Sequence, residues 1–135
     1  MVHCSFHEWN PECLWRCSVP AGVYLPDNHE LYVIHTTGDF YFYLPAGLAN
    51  SCVCLRGDGT TEGVNAQVID PSGKIVYSGE DICMFTDIPV DNSKPGVWLL
   101  RIKKTTTIHL EDLEIVLLQI PPYLANSPEL VPVLR

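Results

Sequence analysis

GVNAQVIDPSGKIVYSG, residues 63–79, is two alternating runs joined by a turn. Val64, Ala66 and Val68 alternate with Asn65 and Gln67, and Ile75 and Tyr77 alternate with Lys74 and Ser78, which is the period of two of half-buried strands. Between them, Asp70 takes the first turn position, Pro71 the second, where its fixed φ suits a type I turn, and Gly73 the last. The stretch predicts a β-hairpin.

The chain on either side has the same character. Upstream, ELYVIHTT (residues 30–37), DFYFYL (39–44) and NSCVCLRGDG (50–59) are short β-rich runs bounded by Gly, Pro, Asn or Asp. In the second of these, Phe40, Phe42 and Leu44 fall on one face and Tyr41 and Tyr43 on the other, so the apolar set is expected in the core and the tyrosines outside or under a loop. Downstream, Ile82–Ile88 reads as a strand, residues 91–96 (DNSKPG) as a turn, and Val97–Lys103 as a strand with Trp98, Leu100 and Ile102 on one face. Leu113, Ile115 and Leu117 alternate within the apolar run from Ile108 to Ile120, which favours strand over helix there until Pro121-Pro122 stops it. About eight strands at spacings near ten residues, with no helical crossovers, predict an all-β, antiparallel, jelly-roll-like β-sandwich.

With 135 residues the chain fits one domain, residues 1–135, burying roughly two-thirds of its unfolded surface. Residues 1–22 are expected as an irregular lead-in and 121–135 as an extended, proline-rich tail. Hydrophobic residues make up 47% and charged residues 18%, and no apolar run approaches the roughly 18 residues of a membrane helix, so no membrane partner is expected. Sixteen acidic against eight basic side chains give a formal charge of −8, which disfavours a phosphate backbone and hence nucleic acid.

Cys4, Cys13, Cys17, Cys52, Cys54 and Cys83 are an even set, and all are disulfide candidates if the protein meets an oxidising compartment. Cys52 and Cys54 share a strand face and are badly placed to bridge each other, so a bridge from either would reach elsewhere. His3, Cys4, His7, Cys13 and Cys17 carry zinc-type ligands, but their spacing does not pair as structural zinc sites do, so a metal is ranked below disulfides or buried thiols and no cofactor is expected. Residues 1–20, with Glu8, Glu12 and Arg16 and no apolar h-region, do not read as a signal peptide. A module cut from a longer secreted protein accounts for both observations, and an intracellular protein with reduced thiols is the alternative.

YFYLPAG at 41–47, GDG at 57–59, VIDPSGK at 68–74 and PGVW at 95–98 resemble, in that order, the β-sandwich accessory domains of secreted bacterial glycoside hydrolases and peptidases, of the galactose-binding-like and pre-peptidase C-terminal jelly-roll kinds. The resemblance covers roughly residues 31–120 and rests on turn and core signals. It implies a non-catalytic module, extracellular or periplasmic, whose partner is carbohydrate or a neighbouring catalytic domain of the same polypeptide. The residues agree that no enzyme is expected: G-x-S-x-G, H-E-x-x-H and a phosphate-cradling glycine loop are all missing. Tyr24, Tyr41 and Tyr43 are the candidate sugar platforms, because sugar C–H faces stack on aromatic rings. Against this stands the simpler reading, that the tyrosines pack between the sheet and the lead-in or tail. A purely structural module braced against a catalytic domain is the second functional expectation, and a small zinc protein the third.

Overall fold

The computed structural model describes residues 20–25, 30–34, 37–57, 61–110 and 112–133, without the side chains of Glu30 and of residues 32–34. Among the described residues there are ten strands: β1 (Gly22–Tyr24), β2 (Glu30–Ile34), β3 (Gly38–Leu44), β4 (Cys52–Gly57), β5 (Val64–Ile69), β6 (Ile75–Ile82), β7 (Thr86–Pro89), β8 (Gly96–Lys103), β9 (Asp112–Leu118) and β10 (Tyr123–Ala125). One sheet runs β1-β10-β3-β8-β5-β6 and the other β2-β9-β4-β7, with every strand pair antiparallel. No helix among the described residues is long and apolar enough to cross a membrane.

With the β5–β6 hairpin set aside, eight strands pair from the outside inward: β1 with β10, β2 with β9, β3 with β8, and β4 with β7. Such a nested ribbon, rolled so that β10 meets β3 and β9 meets β4, is a jelly roll. The expected fold class is therefore present, with a hairpin added. That hairpin does not lie at the centre of the strand order. It is inserted at the tip of the ribbon, between β4 and β7, and extends the six-stranded sheet past β8.

The core lies between the sheets. Phe40, Phe42 and Leu44 of β3 and Trp98, Leu100 and Ile102 of β8 meet Val53 and Leu55 of β4 and Leu113, Ile115 and Leu117 of β9, all essentially inaccessible to water. Each such Leu or Phe contributes about 1.5–3 kcal/mol by leaving water. Trp98 stacks on Phe42 with centroids 6.4 Å apart and donates its indole N–H to the Lys94 carbonyl at 3.0 Å, so its single polar atom is satisfied.

The turns are built by side chains. Gly73 N–H donates to the Asp70 carbonyl at 2.9 Å, Asp70 N–H to the Lys74 carbonyl at 2.9 Å, and Gly73 has φ +89°, a left-handed position that suits glycine. Buried Asp70 accepts from the Ser72 and Lys74 amides at 2.9 and 3.0 Å and from the Ser72 hydroxyl at 2.5 Å. Asp91 and Ser93 repeat the arrangement in the next turn. Lys94 of that turn reaches Asp70 at 3.1 Å, which fastens the two turns together.

Two sequence expectations are corrected. Ile82–Ile88 is not one strand: β6 ends at Ile82, the chain breaks at residues 83–85, and β7 starts at Thr86. Left-handed Asp81 (φ 52°) precedes this break, held by the hydroxyls of Thr105 and Thr107, and the Cys83 backbone lies so close to Gly57 that a Cβ there would come within 2.9 Å of the Cys83 carbonyl oxygen. Residues 121–135 are also not simply a surface tail. β9 already ends at Leu118, where left-handed Gln119 (φ 53°) turns the chain, and beyond Pro121-Pro122 the segment Tyr123–Ala125 enters the six-stranded sheet between β1 and β3, with Leu124 and Ala125 fully buried.

Candidate functional site

The alternation that sends Phe40, Phe42 and Leu44 inward sends Asp39, Tyr41 and Tyr43 to the outer face of the six-stranded sheet. Across that face Tyr24 stands opposite Tyr123, Tyr41 lies between Ala125 and Leu99, and Asp39 lies opposite Arg101. A second, smaller apolar cluster forms there from Tyr43, Ala125 and Val131, with Tyr41, Val97 and Tyr123 packed against it. Val131 follows the short 3-10 turn Pro128–Leu130 and brings the end of the chain back over the sheet.

The three tyrosines singled out in the sequence thus meet different fates. Tyr43 is only 9% exposed in the cluster with Val131, so it is withdrawn from any platform; packing under the tail describes this residue. Tyr41 is half-buried. Tyr24 is 71% exposed and touches Tyr123 edge to face, with centroids 4.7 Å apart and an interplanar angle of 66°. Tyr123 is not among the sequence candidates, because it falls in the proline-rich tail. It leans over Gly22, where an added Cβ would collide with the Tyr123 hydroxyl, so the ring needs a glycine beneath it.

Polar groups flank the rings. Arg101 holds Asp39 through two parallel bonds, Nε to Oδ1 at 2.9 Å and Nη2 to Oδ2 at 3.3 Å, with both side chains about one-third exposed. Burial pushes the Tyr41 hydroxyl up from its ordinary pKa and the Asp39 charge pushes it further, so it remains a neutral donor. Burial, then Tyr24, does the same for Tyr123. The face therefore presents an open ring, an edge-on partner ring, phenolic hydroxyls and a guanidinium–carboxylate fork.

The other outer surface belongs to the four-stranded sheet. Cys52 and Cys54 project from it together, as their spacing requires, with sulfurs 3.8 Å apart, and Asp87 of β7 lies opposite Cys54. Cys52, Cys54 and Cys83 are free thiols, and the two that share a strand face do not bridge each other, as their spacing leads one to expect. Cys4, Cys13 and Cys17, and the histidines near them, lie outside the described residues.

No protein-family model and no curated protein matches the chain. The arrangement of its own side chains therefore carries the functional reading.

Proposed function

We propose that this domain is a non-catalytic binding module that takes carbohydrate on the outer face of its six-stranded sheet, as an accessory part of a larger secreted bacterial enzyme. The observation that carries the reading is Tyr24, a ring exposed over most of its surface and supported edge-on by Tyr123, on the same sheet face as Tyr41 and the Asp39–Arg101 fork further along β3 and β8. A pyranose stacks its C–H face on such a ring, and further units of an extended glycan running across β10 and β3 direct hydroxyls to the Tyr41 hydroxyl and the Asp39–Arg101 fork. The sequence resemblance to accessory sandwiches supports the same reading and supplies the secreted context.

A glycan array probed with the folded chain tests it. Retention of at least one glycan is expected, with Tyr24→Ala weakening it about tenfold, the equivalent of roughly 1.4 kcal/mol. Absence of binding by the folded protein overturns the proposal.

One observation favours a second reading, a structural module braced against a catalytic domain. Met84 and Phe85 are both largely exposed at the break between β6 and β7, with Arg56 lying 5.9 Å above the Phe85 ring. This reading predicts that deleting the module lowers the stability of the neighbouring domain while the glycan array stays blank.

A further inference from the structure

We infer that Cys52, Cys54 and Asp87 form a binding site for a thiophilic d10 cation, zinc above all, on the outer face of the four-stranded sheet. Two metal–sulfur bonds of about 2.3 Å at a tetrahedral angle hold their sulfurs roughly 3.8 Å apart. Cys52 and Cys54 stand at that separation, 3.8 Å. Residues two apart on a strand share a face, but their sulfurs approach this closely only when the side chains converge, so the pair already has the spread of a chelate.

The third ligand comes from the neighbouring strand. The β4–β7 register sets Asp87 opposite Cys54, and a carboxylate oxygen lies within 4.8 Å of both sulfurs. Asp87 is exposed, so its side chain can close the remaining distance without moving the sheet, and it marks the path by which an ion enters. Cys54, 1% exposed, forms the floor. The Ile88 backbone hydrogen-bonds the Cys52 thiol, so one outer-shell contact to a ligand is already in place.

An ordinary cysteine thiol, with a pKa of about 8.5, holds its proton at neutral pH. Binding one divalent ion then breaks two S–H bonds, forms two metal–sulfur bonds and one metal–oxygen bond, and releases two protons to solvent, with no change of oxidation state. Two thiolates and one carboxylate leave a fourth position for water, and soft donors select zinc or cadmium over magnesium or calcium.

The test uses the full chain, reduced and stripped of metal, with Cys4, Cys13, Cys17 and Cys83 replaced by serine so that only this pair can respond. Cadmium, added alone, should give a thiolate-to-metal charge-transfer absorption saturating at one ion per chain, with two protons released. Cys52→Ser should abolish the absorption. Asp87→Asn should weaken zinc by at least the about 10–100-fold that an outer-shell partner contributes. Both positions are at least partly open to solvent, and thermal unfolding in the absence of metal checks that each variant folds. A missing signal in the folded parent with Cys52 and Cys54 intact overturns the proposal, as does a zinc affinity unchanged by Asp87→Asn.

Discussion

Asp70 shows how much one side chain can organise. Its carboxylate accepts from two backbone amides and a hydroxyl of its own turn and from Lys94 of the next. The Ser72 hydroxyl first, then the Lys74 amide and Lys94, hold its pKa well below the ordinary carboxylate range despite the opposing effect of burial. A group whose folded pKa is depressed contributes stability that is complete above its unfolded pKa, about 3.9, and is lost as pH falls from there through the folded value. Asp70→Asn should therefore lower the thermal midpoint at pH 7. It should also flatten the loss of stability below about pH 4 relative to the native chain, because the substituted amide has no proton to take up. Thermal denaturation followed by circular dichroism from pH 2 to 7 checks both effects. Gly73 is legible in the same way. Its left-handed φ of +89° leaves open space around a Cβ, so Gly73→Ala should cost only the backbone strain, about 1–2 kcal/mol, measured by urea unfolding.

Among the elements, the hairpin was readable because every interaction that defines it lies within a few residues: Asp-Pro-Ser-Gly makes the turn, and Val64, Ala66 and Val68 mark the buried face. Strand β9 was readable as strand for the same reason, by the alternation of Leu113, Ile115 and Leu117. The pairing of β1 with β10 was not, since Gly22–Tyr24 and Tyr123–Ala125 are three residues each and find one another only through the rolled ribbon. Tyr123 stays hidden in the sequence for that reason, and so does the partner of Cys52 and Cys54. The Cys-x-Cys spacing puts both thiols on one face, but only the β4–β7 register brings Asp87 beside them. The central place of β10 carries its own prediction. Truncation after Pro122 removes Leu124 from the core and leaves β1 and β3 with unpaired edges, so the truncated chain should lose cooperative unfolding, whereas truncation after Val133 should leave it intact. Denaturant titrations of the two truncations decide this.

As a whole molecule, the domain sets different chemistry on different surfaces. The space between the sheets is apolar core; the outer face of the six-stranded sheet carries the aromatic and charged groups suited to a sugar; the outer face of the four-stranded sheet carries the thiol pair and its carboxylate. A formal charge of −8 is compatible with a neutral ligand on the first of these and a cation on the second. The most direct test of the binding role is amide and side-chain NMR of the full chain titrated with the glycan that the array retains. Saturable shifts concentrated on Tyr24, Tyr41, Tyr123 and the Asp39–Arg101 pair are the predicted result. Shifts concentrated instead around Met84 and Phe85, or no saturable shifts at all, would contradict it.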